Sequence, residues 1–129
     1  MAVTIVMAYT QKILIVDDKP ADLFSLQQIL HETGAEVVRV QNGNDALKAS
    51  LNHEFALALL DVQMPKMSGD CLARRILAIR DDMPIIIASG YRKRIDDPNA
   101  AELGAKALLD KPFTNSTLSR TVNNVLKNY

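Results

Sequence analysis

Five side chains that chemistry commonly uses stand at the ends of short apolar runs. Asp17 and Asp18 follow the run 13–16, Asp61 follows 56–60, Ser89 follows 85–88, and Lys111 stands two residues beyond 106–109. If those runs are strands of one sheet, three carboxylates, a hydroxyl and an ammonium gather at one edge. Crowded carboxylates repel one another unless a cation lies among them. Oxygen donors with room for water suit Mg²⁺, which binds through one or two carboxylates and phosphate oxygens. The matching reaction is phosphoryl transfer, which needs an in-line nucleophile and neutralisation of the charge on the phosphoryl oxygens. Asp61 is the candidate nucleophile, giving a mixed anhydride. Asp18 and Asp61 would hold Mg²⁺ against one oxygen, Lys111 would bring a point charge to a second, and Ser89 a hydrogen bond to a third. Polar residues at strand ends are common, and any one of the five alone reads as an ordinary loop residue. Five at one edge do not.

The elements that must position these residues alternate along the chain. Apolar runs at 13–16, 37–40, 56–60, 85–88 and 106–109 read as strands. Three of them are apolar at every position, the pattern of strands covered on both faces, as in a parallel sheet. Between the runs lie helical stripes: Leu23, Leu26, Ile29 and Leu30, ended by Gly34; Ala46, Leu47 and Leu51, after Asn42-Gly43-Asn44; Leu72, Ile76 and Ile79, after Ser68-Gly69; and Leu118, Val122, Val125 and Leu126. A further short helix is expected from Asp97-Pro98 to Gly104, with loop between Gly90 and Asp97. The order predicts an α/β, doubly wound, five-stranded parallel sheet with five helices. Ligands of such sheets lie beyond the carboxyl ends of the strands, at the switch point.

Composition narrows the classes. The chain has 129 residues, 48% hydrophobic and 23% charged, which suits one globular domain and argues against disorder. Fifteen basic residues balance fifteen acidic ones, so there is no basic excess for direct nucleic-acid binding. No apolar run approaches the roughly 20 residues of a membrane span, and the opening residues lack the positive stretch of a signal peptide. The single Cys71 cannot form an internal disulfide, and a cytoplasmic location is expected. Residues 1–12 read as an extension and 13–127 as the domain.

With these residues in view, the sequence resembles the response-regulator receiver family, which has the chemotaxis-regulator-like fold. The resemblance rests on Ile-Leu-Ile-Val-Asp-Asp at 13–18, Leu-Leu-Asp-Val-Gln-Met-Pro-Lys-Met-Ser-Gly at 59–69, Ile-Ala-Ser-Gly at 87–90 and Lys-Pro-Phe at 111–113. Each is weak alone; in this order and spacing they are specific. The resemblance implies strand order 2-1-3-4-5 and Asp61 as phosphoacceptor. It implies Asp18 as a direct Mg²⁺ ligand, Asp17 acting largely through metal-bound water, and the backbone carbonyl of Gln63 as the remaining protein ligand. Ser89 and Lys111 match the residues that meet the phosphoryl group, and Lys111–Pro112 matches a bond that is usually cis in the family. Implied partners are a sensor histidine kinase or histidine phosphotransfer protein as donor. A downstream protein would read the face of the fourth helix, fifth strand and fifth helix. A homodimer is allowed, and the domain would be a signalling switch rather than an enzyme with its own substrate. The run Ser89-Gly90-Tyr91 is similar to receivers joined to hybrid sensor kinases.

Two positions depart from the family pattern. Leu108 stands where an aromatic switch residue is common, three residues before the lysine, so signalling through that ring is not expected. Gln63 and Tyr91 are large side chains placed, by resemblance, to hinder water at the phosphoryl group. Rival functions are a haloacid-dehalogenase-type Mg²⁺ phosphatase, a flavodoxin-like flavin binder and a phosphorylation-independent interaction module. The first wants a second acid two positions after the nucleophile, where Gln63 stands. The second wants hydroxyls and glycines where Asp17 and Asp18 would repel a phosphate. The third would lack part of the constellation. Elsewhere, His31 and His53 read as exposed helix-terminal residues, Cys71 as packing or surface, Arg92-Lys93-Arg94 as a solvated loop, and Met64, Met67 and Met83 as gap-fillers.

Overall fold

Residues apolar at every position need cover on both faces, and 13–16, 57–60 and 85–88 are such runs. In the computed structural model, which describes residues 11–64, 66–89 and 105–127, they become the three central strands of one sheet. The strands are β1 Lys12–Val16, β2 Glu36–Val40, β3 Leu57–Asp61, β4 Ile85–Ser89 and β5 Ala107–Asp110. All neighbours pair parallel, in the expected order β2-β1-β3-β4-β5. The central strands are buried throughout β3 and β4 and over all but Lys12 of β1, while the edge strand β2 has no buried residue and β5 has only Leu109. β3 and β4 each reach one residue further than the apolar runs suggested, so Asp61 and Ser89 are the last residues of strands, not the first of loops.

Four helices stand among the described residues: α1 Pro20–His31, α2 Gly43–Asn52, α3 Gly69–Ile79 and α4 Asn115–Lys127. The expected short helix over 97–104, the preceding loop with Tyr91 and Arg92-Lys93-Arg94, and Pro65 lie outside the described residues. Local chemistry sets the helix ends. Pro20 fits the first turn of α1, where its missing N–H is no loss, and Gly34 takes the positive φ of 82° just past it. Asn42 caps α2 by accepting from the Asp45 N–H at 2.8 Å, and Ser68 caps α3 by accepting from the Cys71 N–H at 3.3 Å.

Side chains alternate across the strands and build two cores. Ile13, Ile15, Leu57, Leu59 and Ile86 meet Leu23, Leu26 and Leu30 of α1 and Leu118, Val122 and Val125 of α4. Leu14, Val16, Ala58, Leu60, Ile85 and Ile87 meet Ala46 of α2 and Leu72, Ala73 and Ile76 of α3. Two residues expected on these stripes do not reach a core: Leu51 and Ile79 sit in the last turns of α2 and α3 and are 70% and 42% exposed. Leu108 is half-buried on the α2–α3 face, opposite Ile87. Among the described residues no helix is long and apolar enough to cross a membrane.

Candidate functional site

Register alone brings the acids together. Val16 of β1 pairs with Leu60 of β3, so Asp17 and Asp61, the next residue on each, are neighbours across one strand spacing. Asp61 in turn pairs with Ala88, placing Ser89 one step beyond, and the Lys111 N–H donates to the Ser89 carbonyl at 2.8 Å. The reversal of strand order falls between β1 and β3, where the doubly wound rule puts the ligand crevice. All five residues singled out in the sequence therefore share one end of the sheet.

Asp17 and Asp61 are almost wholly buried, and Asp18 is half-buried. One oxygen from each of the three carboxylates lies within 4.8 Å of the others. At an effective dielectric of about 20, each such pair repels by roughly 3–4 kcal/mol. Lys111 relieves part of this: its Nζ stands 3.2 Å from Asp61 Oδ1, 3.3 Å from Asp17 Oδ2 and 3.8 Å from Asp22 Oδ2. The cis Lys111–Pro112 bond expected by resemblance is present. Asp17 Oδ1 accepts from the Lys19 N–H at 3.0 Å, and Asp61 Oδ1 from the Gln63 N–H at 3.3 Å.

Among the described residues, two oxygens are left over. Asp61 Oδ2 and Asp18 Oδ1 are buried atoms without a hydrogen-bond partner; the Lys19 ammonium, 3.7 Å from Asp18 Oδ1, is beyond hydrogen-bond reach. The four carboxylates of Asp17, Asp18, Asp22 and Asp61 against the ammoniums of Lys19 and Lys111 leave two negative charges in the cluster. A divalent ion with oxygen preference fits both the charge and the orphaned atoms. Protonation answers to the same crowding. Burial pushes the Asp17 carboxyl up, and the Lys19 N–H and the Lys111 ammonium offset this only in part. For Lys111 burial disfavours the charged form, yet Asp17 and Asp61 outweigh it and hold the amine above its usual value.

The loop after β3 is fixed by a close approach. A Cβ on Gly69 would lie 2.6 Å from the Asp61 carbonyl oxygen and 2.8 Å from Val62 Cα, so only glycine lets α3 start there. The Gly69 N–H donates to the Val62 carbonyl at 3.1 Å and closes the loop into a ring. Sequence reasoning missed two contributors. Asp22 reads as an ordinary acid in the first turn of α1, and only tertiary packing brings it to Lys111. Gly43 reads as a turn residue, but it is buried against Met67.

The remaining singled-out residues lie elsewhere. His31 is exposed at the end of α1, whereas His53 is half-buried, with Nδ1 3.1 Å from Lys12 Nζ and its ring tilted against Phe55. Cys71 is half-buried in the first turn of α3. Met83 is buried in the core, with Met64 and Met67 packed against its margin.

Residues 13–123 match the response regulator receiver domain family. The chain belongs to that family. This receiver is 31% identical to protein PilH of Pseudomonas aeruginosa, over 89% of its own length and 97% of PilH. It is 33% identical to the sensor protein GacS of Pseudomonas syringae over 86% of its length, but spans only 13% of GacS. The response regulator protein TrrA of Thermotoga maritima, solved in complex with Mg(2+)-BeF, superposes with a TM-score of 0.82 at 30% identity, covering 90% of the receiver and 99% of TrrA. The resemblance seen in the motifs is thus borne out: the chain is a receiver domain of two-component signalling, and receivers work with histidine kinases or phosphotransfer proteins.

Proposed function

We propose that this receiver takes a phosphoryl group from a phosphohistidine onto Asp61, with Mg²⁺ held by Asp17, Asp18, Asp61 and the backbone carbonyl of Gln63. The observation that carries the reading is Asp61 Oδ2: a buried carboxylate oxygen without a hydrogen-bond partner, on a group whose other oxygen meets an ammonium at 3.2 Å. A bound Mg²⁺ supplies charge neutralisation to the phosphoryl oxygens. A carboxylate oxygen of Asp61 attacks phosphorus in line, the P–N bond to the donor imidazole breaks, and its electron pair leaves with the ring. Lys111 already touches both buried acids and turns its charge to a phosphoryl oxygen, and the Ser89 hydroxyl donates to another. The Mg(2+)-BeF complex of TrrA supports pairing metal and phosphoryl-like ligand on this fold.

On this reading the domain is 13–127, preceded by an extension over 1–12, and acts in the cytoplasm. It is a switch that catalyses its own phosphorylation and dephosphorylation. The donor is a sensor histidine kinase or a histidine phosphotransfer protein. A protein partner reads the state from the face of β5 and α4 together with the short helix expected over 97–104, which lies outside the described residues, and a homodimer is allowed. The test is exposure to a small phosphodonor with Mg²⁺ and measurement of intact mass. Wild type gains one phosphoryl group; Asp61→Ala and chelator-treated wild type gain none. Uptake by Asp61→Ala would end the assignment.

A further inference from the structure

We infer that Met67, seated in a notch left by Gly43, is a positioning residue that latches together the two acid-bearing loops of the site. This rests on reading the Asp cluster as a Mg²⁺ site. Met67 belongs to the ring closed by the Gly69 N–H on the Val62 carbonyl, a ring that Asp61 immediately precedes and that contains Gln63. Gly43 opens α2, whose cap Asn42 stands two residues past β2, and the Val40 carbonyl at the end of β2 accepts from the Asp17 N–H at 3.2 Å. A Cβ on Gly43 would lie 2.5 Å from Met67 Sδ and 3.1 Å from its Cβ and Cε. The thioether therefore fills the space a side chain at 43 would take, and the contact joins the Asp17–Asp18 side of the site to the Asp61 side.

The latch has a force to resist. Asp17, Asp18 and Asp61 repel one another, and a loop carrying one of them relaxes by moving away from the other two. A hydrogen-bonded latch would add polar atoms that compete with the carboxylates for the cation. An apolar one does not. A groove of about 610 Å³ runs along this seam, lined by Asp18, Asn42, Gly43, Met64 and Met67 among others. A Met67 expelled from the notch has room to swing into it, so losing the latch costs little fold stability while freeing the loop.

The test uses Gly43→Ala, Met67→Ala and the double variant in the full chain, each shown by circular dichroism to be folded at the assay temperature. Two readouts need no phosphodonor: Mg²⁺ affinity by titration calorimetry, and metal-free hydrogen exchange at the Gly69 and Gln63 amides. Each single change weakens Mg²⁺ binding about tenfold, in the range of outer-shell losses, and speeds both amides. The double variant is no worse than either single, since both remove one contact. Should Gly43→Ala fail to fold, Met67→Ala carries the measurement alone. Unchanged Mg²⁺ affinity and exchange in Met67→Ala, or single costs that add in the double variant, overturn the latch. Absence of phosphoryl uptake by wild type is a separate result and counts against Asp61 as acceptor.

Discussion

The two ends of one sheet treat charge in opposite ways. At the amino end, Arg80 donates from Nη1 to the Phe55 carbonyl at 2.6 Å and from Nε to Asp82 at 2.7 Å, and Lys12 Nζ rests 3.1 Å from His53 Nδ1. Both of these cations have an acceptor. At the carboxyl end one ammonium serves Asp17, Asp61 and Asp22 together, and oxygens of Asp18 and Asp61 go without hydrogen bonds. The strands are the same; what differs is whether folding completes the polar groups or leaves them for a ligand. Unsatisfied buried polar atoms cost stability, so their clustering at one end marks where stability has been given up for binding.

That contrast is open to attack from both ends. Lys111→Met removes the cation that two buried acids share and should cost about 3 kcal/mol in chelator, as an uncompensated buried charge does. Mg²⁺ should restore part of it, so the metal-induced rise in Tm is larger than in wild type; a melt unaffected by the substitution would remove the electrostatic premise. Gly69→Ala pushes a Cβ into the Asp61–Val62 backbone and should cost about 1–3 kcal/mol, the range of overpacking, while also slowing phosphoryl uptake. Arg80→Ala should cost about 1 kcal/mol for the lost hydrogen bond to the Phe55 carbonyl, with phosphoryl uptake at the wild-type rate. A slowed rate there would mean that the two ends are coupled.

The smallest effect lies in pH. Burial raises the Asp17 carboxyl, so the folded chain binds that proton more readily than the unfolded one. In chelator, stability should therefore rise as pH falls from neutrality through the folded value of Asp17 toward the usual 3.8. Mg²⁺ affinity should fall over the same window, because proton and metal compete for one carboxylate. The hydrogen bond from Arg80 lowers Asp82 at the amino end, so its contribution is present above 3.8 and is lost only as pH falls through a lower folded value. Thermal melts from pH 7 to 4, with chelator and with Mg²⁺, read both signs; a chelator curve that only declines would contradict the Asp17 assignment.

Much of this was legible in the residues. Uninterrupted apolar runs at 13–16, 57–60 and 85–88 determined that the sheet is parallel and covered on both faces, because only such burial suits strands without alternation. The types and places of Asp17, Asp18, Asp61, Ser89 and Lys111 pointed to phosphoryl-transfer chemistry, since each closes a strand or stands within two residues of its carboxyl end. Stripes were less reliable at their ends: Leu51 and Ile79 carry the right spacing but sit in last turns that overrun the core.

Tertiary structure decided the rest. Periodicity describes one element at a time, whereas register joins two, and it is register that sets Asp17 beside Asp61 and aims Lys111 between them. Asp22 at Lys111 and Gly43 against Met67 are contacts across dozens of residues, carried by no local pattern. Which carboxylate oxygens would find a hydrogen bond and which would be left for a cation follows from the packing of several loops at once. The sequence by itself specified the carboxylates; only the folded chain decided which of their oxygens stay unsatisfied.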